Sequence, residues 1–451
     1  MATASFKWGT DVYSAEVAED VLHCTSHAGA QGNINLSNIV GVLPTNSPST
    51  HSVLFLIKPE DESEEAAGYL HKIDISSLPP ALTQFLVTVP DYLKHPEPVQ
   101  VIVSVASGTQ TAQAVFQDLV KPFLTHVGLE YEVHETKSAQ TIKELAQSQF
   151  LDRACSGIPQ TIILLSGDGG LVDLVEVFYE SNRSVHTPPQ IALVPCGTGN
   201  ALASSIGLRT GPASGLVALI RGAPTPLPTF AARISPGSQL VIDEGRQRVP
   251  LGVDAHGSYR TLYCAVVVSW ALHAALVADS DTTEYRKFGR ERFKMAANKL
   301  LYPSDGTEPH RFQGKITYST VNGQTGEVSQ ETTDTNEHMY VVISMVPRLE
   351  KNFLISPGTE PLGGQMHLMQ WGPMPADEAV RLVVLAYQGG LHVSEKTVTY
   401  ADVEQLRIEF EEESEHWRRV CIDGNIITVE KGGWLELHKE PRQLLQVIKP
   451  C

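Results

Sequence analysis

Short apolar runs followed by helical patterns dominate the chain between residues 97 and 228. The runs Val99–Val103, Thr161–Leu165 and Ile191–Pro195 are almost uninterrupted by polar residues, which is typical of strands buried on both faces of a parallel sheet. After the second run, apolar residues from Leu171 to Phe178 recur at helical spacing. The alternation of strand and helix patterns predicts a parallel α/β domain over residues 97–228.

The flanking regions have a different pattern. Residues 1–96 alternate short apolar stretches with turn residues and predict a small β-rich N-terminal module. Prolines at 224, 226 and 228 mark a domain boundary, and residues 229–451 predict a mostly antiparallel β-sandwich. The strands predicted in that second large domain are Tyr263–Val268, Lys315–Ser319, Met339–Met345, Leu382–Ala386, Leu406–Phe410 and Ile426–Val429.

Composition and charge narrow the class of protein. At 451 residues, with 42% hydrophobic and 19% charged residues, the chain has the composition of a globular protein of two or three domains. Its net charge of −17 argues against a nucleic-acid partner and against permanent adhesion to anionic membranes. The six cysteines lack C-x-x-C spacing, which favours reduced thiols in an intracellular protein over a structural zinc site.

Two glycine-rich turns follow the second and third strands of the α/β domain. They are Ser166-Gly167-Asp168-Gly169-Gly170 and Gly197-Thr198-Gly199-Asn200, and each precedes a predicted helix. Ligands bind at this edge of a parallel sheet, where glycine lets the backbone approach a ligand and helix N–H groups bind anions. Neither turn fits the Walker or dinucleotide-binding pattern, so spacing alone leaves ordinary strand-to-helix turns as an equal alternative.

Asp168 inside the first turn favours a phosphate site. A carboxylate there would repel a phosphate unless it held a metal ion or took a proton from an attacking hydroxyl. Both roles belong to phosphoryl transfer.

These residues carry a family resemblance. Ser166-Gly-Asp-Gly and Pro195-Cys-Gly-Thr-Gly-Asn resemble the signature blocks of the diacylglycerol kinase-type lipid kinases, and are most similar to those of sphingosine kinases. The segment Tyr285–Phe293 resembles the Y-R-x-x-G-x-x-R-F pattern that supplies nucleotide-facing arginines in sphingosine kinases. The resemblance covers roughly residues 95–430 by eye, and implies an NAD kinase/diacylglycerol kinase-like parallel α/β domain followed by the β-sandwich.

The resemblance also implies roles for individual residues. Asp168 would be catalytic, as general base toward the lipid hydroxyl or as a Mg²⁺ ligand, and ATP and Mg²⁺ would be the cofactors. The implied nucleotide-binding residues are Ser166, Gly167, Gly169, Gly197, Thr198, Gly199, Arg286, Arg292, Asp423 and Gly424. The planar guanidinium of an arginine suits the clamping of phosphate oxygens. The identity of metal-ligating residues beyond Asp168 stays open.

Asp279 and Asp281 are the candidate substrate-binding residues. The resemblance places a substrate-facing Asp near Asp279 only if a gap precedes Val277, and Asp281 is the alternative. A sphingoid base carries an ammonium, so a carboxylate at the pocket mouth would select it over the uncharged head of diacylglycerol or ceramide. The primary hydroxyl of a sphingoid base, sphingosine or sphinganine, is therefore the first expected acceptor, and a neutral lipid is the alternative.

Two segments depart from the family pattern. The family opens its catalytic domain with N-P-x-x-G-x-G, where this chain has Ser104–Gln110 with one glycine, and the family's D-G-E turn appears as Asp423-Gly424-Asn425. A catalytically impaired lipid- or nucleotide-binding protein on the same fold is therefore a second alternative.

The resemblance carries expectations about partners and location. The expected partner is a lipid, reached by peripheral or transient membrane contact. The expected location is the cytoplasm, with peripheral association with intracellular membranes. In related lipid kinases a pleckstrin-homology-like region often occupies the position of residues 1–96. A homodimer is compatible with the resemblance.

Overall fold

The computed structural model describes residues 8–47, 49–57, 68–106, 108, 110–181, 183–208, 211, 213–253, 259–289, 291–321, 323 and 325–451. Within them, the N-terminal region forms a six-stranded sheet in which β1 and β6 are parallel and the other neighbours are antiparallel, in the order β3-β2-β1-β6-β5-β4. Alternate side chains of these strands, such as Leu22 and Cys24, are buried on one face, as expected of a half-covered sheet. The strands are β1 (Val12–Ala18), β2 (Val21–Thr25), β3 (Gln31–Asn35), β4 (Ile39–Pro44), β5 (His51–Ile57) and β6 (Tyr69–Ile75).

The central region is a parallel sheet with helices around it. Its order is β11-β29-β10-β9-β7-β8, and β11 alone runs antiparallel to its neighbour among the strands of this sheet. Every residue of β7 and β9 is buried, which explains their apolar sequences. The strands are β7 (Val99–Val103), β8 (Tyr131–Glu135), β9 (Thr161–Ser166), β10 (Gln190–Pro195) and β11 (Ala223–Pro226).

Within the described part of the chain, seven α-helices accompany this sheet. Two π-helical segments, Phe116–Val120 and Ala146–Phe150, join α1 to α2 and α3 to α4 without a break. The helices are α1 (Ala112–Val115), α2 (Lys121–Val127), α3 (Thr141–Leu145), α4 (Leu151–Cys155), α5 (Asp168–Glu180), α6 (Ala201–Ser205) and α7 (Ala213–Arg221).

Two antiparallel sheets form the β-sandwich. One sheet has the order β15-β12-β28-β25-β17-β18, with β19 also pairing with β17, and the other has the order β14-β13-β27-β26-β16-β20-β23-β24. Trp270 is fully buried between them, edge-on to Phe410 with ring centroids 5.1 Å apart. The first strands are β12 (Thr229–Ile234), β13 (Gln239–Ile242), β14 (Gln247–Pro250), β15 (Arg260–Cys264), β16 (Val267–Ala271), β17 (Phe312–Val321), β18 (Val328–Thr332) and β19 (Glu337–His338).

The remaining strands complete the sandwich, apart from two. A small separate hairpin is formed by β21 and β22, and β29 returns to the α/β sheet beside β10. The strands are β20 (Tyr340–Ser344), β21 (Arg348–Glu350), β22 (Phe353–Leu354), β23 (His367–Trp371), β24 (Val398–Asp402), β25 (Gln405–Phe410), β26 (Arg419–Ile422), β27 (Asn425–Thr428), β28 (Trp434–Glu440) and β29 (Gln446–Lys449). The helices of this region are α8 (Leu272–Ser280), α9 (Thr283–Arg286), α10 (Glu291–Leu301) and α11 (Ala376–Tyr387).

This architecture confirms the predicted fold class, a parallel α/β domain followed by an antiparallel sandwich and preceded by a β-rich module. The domain boundaries after residues 96 and 228 stay predictions, and the structure adds that the last strand of the chain belongs to the α/β sheet. The predicted strand Leu382–Ala386 is wrong, because these residues lie in α11. Ala379, Leu382 and Ala386 form its buried stripe, a spacing that fits a helix face and not a pleated strand.

Candidate functional site

The two glycine turns after β9 and β10 pack against each other at the carboxyl edge of the parallel sheet. A Cβ added to Gly197 would lie 2.4 Å from the Cα of Gly167 and 2.8 Å from Oδ1 of Asn200. No side chain fits at that distance without displacing backbone. Glycine at 197 is therefore required by the contact between the two turns.

Gly108, the glycine retained in the loop after β7, joins the same cluster. Its backbone has a φ of +55°, and an added Cβ would lie 2.5 Å from the carbonyl oxygen of Cys196. Ser107 and Thr109 of the departing segment Ser104–Gln110 lie outside the described residues. The single glycine kept in this divergent loop is thus the one whose backbone touches the second glycine turn.

Asn200 closes the second turn. Its backbone is left-handed, with φ 50° and ψ 53°, a conformation that asparagine tolerates better than most residues. Its Oδ1 accepts from the Gly197 N–H at 2.9 Å and its Nδ2 donates to the Gly197 carbonyl at 2.7 Å. The side chain therefore holds the turn in shape without help from a ligand.

Asp168 is the first residue of α5 and links the two turns. Its Oδ2 accepts from the Ala201 N–H at 2.6 Å and its Oδ1 accepts from the Leu202 N–H at 3.1 Å. These N–H groups open α6, so the carboxylate of one turn caps the helix that follows the other. Burial raises the pKa of Asp168, against the lowering effect of the two backbone hydrogen bonds.

Asp423 occupies the turn between β26 and β27, where it and Gly424 have φ values of 45° and 89°. Its carboxylate accepts from three consecutive backbone N–H groups, of Ala265 at 2.7 Å, Val266 at 3.1 Å and Val267 at 2.6 Å. Burial raises its pKa to about 7, and the charge of Asp168 contributes to the rise. The two acids, one from each large domain, therefore lie within electrostatic reach of each other.

The candidate nucleotide-binding residues differ in their solvent exposure. Gly169 is exposed, and a Cβ added there would meet nothing within 4 Å. Thr198 and Gly199 are partly exposed, whereas Ser166 is 7% exposed and lies against Gly170. Open space therefore borders Gly169 and the second turn, while Ser166 belongs to the packed base of the turns.

Arg286 and Arg292 both reach Asp281. Nε and Nη2 of Arg286 donate to the two oxygens of Asp281 at 2.9 and 3.0 Å, and Nη1 of Arg292 lies 3.4 Å from Oδ1. The side chain of Arg292 is 16% exposed and that of Arg286 is 57% exposed. The structure thus brings the two arginines together on one carboxylate.

Asp279 at the end of α8 pairs with Arg419 at the start of β26. Nη1 of Arg419 donates to Oδ1 of Asp279 at 2.7 Å, and Nε donates to the His416 carbonyl at 2.9 Å. Sequence reasoning missed Arg419, which lies in the run Trp417-Arg418-Arg419 far along the chain from α8. No local pattern marks such a partner, because its role depends on which strand packs against α8.

An apolar seam separates the sandwich from its helices. Tyr340 of β20 stacks on Trp371 of β23 with ring centroids 4.0 Å apart. Leu272 of α8, Leu301 of α10 and Leu382 of α11 belong to the same buried cluster. Asp279 shares a face of α8 with Leu272, since the two residues are seven apart. The seam is packed core, and Leu272 connects it to α8, the helix that carries Asp279.

Among the described residues, no group of three or more His, Cys, Asp or Glu side chains is arranged to hold a metal ion. Over those residues, too, no helix combines the length and apolar character needed to cross a membrane.

Comparison with known proteins gives a family match over the α/β domain. Residues 98–232 match the family model of the diacylglycerol kinase catalytic domain. Both glycine turns lie inside the matched residues, whereas Arg286, Asp279 and Asp423 lie beyond them.

Curated relatives match the same part of the chain. The protein is 31% identical over 137 residues to sphingosine kinase 1 of Arabidopsis thaliana, covering 29% of this chain and 27% of the relative. It is 27% identical over 162 residues to human sphingosine kinase 2, covering 33% of this chain and 24% of the relative. The matches span about a quarter of the length of these relatives.

The structural similarity to known proteins covers more of the chain than the sequence similarity does. A Bacillus anthracis str. Sterne protein assigned as a diacylglycerol kinase has a crystal structure that aligns with a TM-score of 0.52 at 16% identity. The alignment covers 78% of this chain and 95% of that one. At this identity the likeness concerns the fold alone.

Proposed function

We propose that this protein transfers the γ-phosphate of ATP to the primary hydroxyl of a lipid, since residues 98–232 match the family model of the diacylglycerol kinase catalytic domain. The observation that carries the proposal is the position of Asp168, which joins the two glycine turns through the N–H groups of Ala201 and Leu202 and lies within electrostatic reach of Asp423. It combines open backbone for phosphates with carboxylates that could serve as base and as Mg²⁺ ligand, roles that belong to phosphoryl transfer.

The triphosphate would lie beside Gly169 and the turn Gly197-Thr198-Gly199. The open space at Gly169 supports this position, because a phosphate there meets backbone and no side chain. Arg286 and Arg292 would clamp phosphate oxygens by exchanging Asp281 for the phosphate. The exchange is chemically reasonable, since a phosphate offers the same bidentate acceptor geometry as a carboxylate.

Asp168 would act as general base. It takes up the proton of the lipid hydroxyl as the oxygen attacks the γ-phosphorus, and ADP leaves in line. The two N–H groups at the start of α6 fix the orientation of its carboxylate. Burial raises the pKa of Asp168 and so makes it a stronger base than an exposed aspartate.

The donor set suits Mg²⁺. Mg²⁺ is commonly bound by one or two carboxylates together with water and substrate phosphates. Asp168 and Asp423 supply two, and a carboxylate has about four lone-pair positions, so each keeps acceptor capacity beyond its backbone hydrogen bonds. Asp423 would hold the ion, or Asp168 would do so in place of its role as base, and the charge of the ion would neutralise the phosphates when bound.

The acceptor lipid has two candidate classes. A sphingoid base is the first, because the curated relatives that match the α/β domain are named sphingosine kinases. A neutral lipid such as diacylglycerol or ceramide is the second, and the ion pairs of Asp279 and Asp281 favour it. In either case the alkyl chain would enter the apolar seam beside α8, and the enzyme would reach its lipid by peripheral contact with intracellular membranes from the cytoplasm. A homodimer stays a proposal.

A lipid panel tests the proposed function. Wild type and Asp168→Asn are incubated with γ-labelled ATP, Mg²⁺ and micelles of sphingosine, sphinganine, diacylglycerol or ceramide, and labelled lipid is quantified. We expect one class to be phosphorylated by wild type and not by the variant. The alternative, an impaired kinase that binds lipid or nucleotide, is supported by the divergent loop at 104–110 and by Asn425. It predicts ATP or lipid binding without labelled product across the panel.

A further inference from the structure

Asp279 is neutralised by its own chain. Arg419 donates to it at 2.7 Å, and the Arg419 side chain is only 11% exposed, against 30% for Asp279. A second contact fixes the same guanidinium, because its Nε donates to the His416 carbonyl at 2.9 Å. Arg419 is therefore held in place at the carboxylate that would otherwise be free to bind a cation.

Asp281 is neutralised as well. Arg286 binds both of its oxygens, and Arg292 approaches one of them at 3.4 Å. Even if ATP phosphates draw these two arginines away, Asp279 keeps Arg419, which lies on a strand of the sandwich. The two candidates for an ammonium-binding acid therefore differ, and the pairing of Asp279 does not depend on nucleotide.

The pairing of Asp279 lowers the gain from binding an ammonium. An incoming ammonium must lose part of its strong hydration, and at Asp279 it meets a carboxylate whose charge is already offset by the Arg419 guanidinium, which repels a second cation. A neutral head group with a hydroxyl or an amide incurs neither of these free-energy costs. Selection between the two heads depends on the difference of these free energies, and Arg419 reduces that difference.

We propose that Arg419 is a specificity residue of the lipid site: by occupying Asp279, it removes the ammonium selectivity that a free carboxylate would give, so the site accepts neutral-headed lipids as well as sphingoid bases. The inference rests on the proposed lipid kinase function. The proposed substrates are lipids with a primary hydroxyl group, whether or not the head group carries a positive charge.

The test compares two lipids that differ in charge at nitrogen. Sphingosine and N-acetylsphingosine are presented in matched detergent micelles, and kcat/KM is measured for wild type, Arg419→Leu, Arg419→Lys and Arg419→Leu/Asp279→Asn. We expect wild type to favour sphingosine by less than about tenfold, and Arg419→Leu to raise that preference at least about tenfold. Arg419→Lys and the double variant should keep the wild-type ratio. Arg407→Leu, which removes an arginine paired with Glu436 elsewhere on the sandwich, is the matched control and should also keep it.

Two results overturn the proposal. In the first, wild type prefers sphingosine by more than about a hundredfold and Asp279→Asn abolishes this preference. Asp279 would then bind the ammonium group even though Arg419 is paired with it. The other is an unchanged ratio in soluble, folded Arg419→Leu.

Binding separates failure of this proposal from failure of the proposed function. Retention of labelled sphingosine and labelled N-acetylsphingosine is measured by equilibrium dialysis of the same variants in the same micelles. If no variant phosphorylates any lipid, a gain in sphingosine retention by Arg419→Leu that Asp279→Asn cancels still supports the specificity role while the kinase function fails. Absence of that gain overturns the role whatever the activity.

Discussion

Burial raises the pKa of Asp423 in the sandwich, and the charge of Asp168 in the α/β domain adds to the rise. Each carboxylate is held by backbone N–H groups of a segment distant in sequence: Asp168 by the start of α6, and Asp423 by the residues between β15 and β16. The orientation of both carboxylates is thus fixed by backbone N–H groups, which most side-chain substitutions do not remove. Backbone hydrogen bonds therefore preorganise both acids, which interact electrostatically.

Asp168→Asn should abolish turnover while keeping the fold. An asparagine retains an acceptor oxygen for one of the two α6 N–H groups and leaves the other without an acceptor, so the free energy of unfolding should fall by about 1–3 kcal/mol. Loss of the base should lower kcat by about 10²- to 10⁴-fold. Denaturant unfolding and the labelled-ATP assay measure the two effects separately.

Asp377→Asn is the control for that variant. Asp377 lies in the first turn of α11 and accepts from the Tyr302 hydroxyl. Its loss should leave turnover at the wild-type level. Comparable losses in both variants would mean that Asp168 acts through stability and not through chemistry.

Asp423 should make stability depend on pH. Burial raises its pKa from an ordinary value of 3.8 to about 7, so between about pH 4 and 7 the native state holds a proton that the unfolded chain has lost. The contribution of Asp423 to stability is therefore present at low pH and declines as pH rises to about 7. Asp423→Asn lacks this decline, so its stability relative to wild type should rise by about 2 kcal/mol between pH 5 and 8.

Urea unfolding of both proteins at four pH values from 5 to 8 measures this difference. Most other titrating groups are shared by the two proteins and cancel in the comparison. Parallel stability curves would show that Asp423 titrates at an ordinary pKa in the folded protein.

Gly169→Ala and Gly197→Ala should have opposite consequences. At Gly169 the added Cβ meets open space within a helix, so stability should be kept or increased by up to about 1 kcal/mol. If phosphates bind there, KM for ATP should rise about tenfold. At Gly197 the Cβ would lie 2.4 Å from the Gly167 backbone, which should cost about 1–3 kcal/mol of stability.

Thermal unfolding and ATP titration of each variant distinguish these effects. An unchanged KM for ATP in Gly169→Ala would show that the phosphates do not bind at the first turn. Unchanged stability in Gly197→Ala would mean that the two turns separate more easily than their packing indicates.

Asn425→Glu should increase activity if the amide in the Asp423-Gly424-Asn425 turn limits the enzyme. Asn425 is exposed, so the change should alter stability by less than about 0.5 kcal/mol. An added carboxylate beside Asp423 should strengthen Mg²⁺ binding and raise turnover several-fold at low Mg²⁺, as measured by a Mg²⁺ titration of kcat. Asn425→Gln adds the same length without charge and should have no effect; equal responses of the two variants would exclude a role for charge.

The sequence determined much of the fold and the identity of the turn residues. Buried parallel strands must be apolar on both faces, and tight backbone contacts require glycine, so both requirements are visible in local sequence. The predicted strand Leu382–Ala386 was wrong because a short apolar run fits a strand as well as a helix face, and packing against the sandwich decided between them. The resemblance to lipid kinases singled out Asp168 and Asp423, but it carried no information about their hydrogen bonds.

The tertiary structure alone decided how the charged side chains are paired. Asp279 and Arg419, like Asp281 and its two arginines, meet through the packing of helices on strands. An ion pair forms between whichever opposite charges the fold brings within a few ångströms, and no periodicity in either segment encodes that distance. The sequence therefore determined which carboxylates are candidates for binding the substrate, and the tertiary structure decided that arginines pair with them.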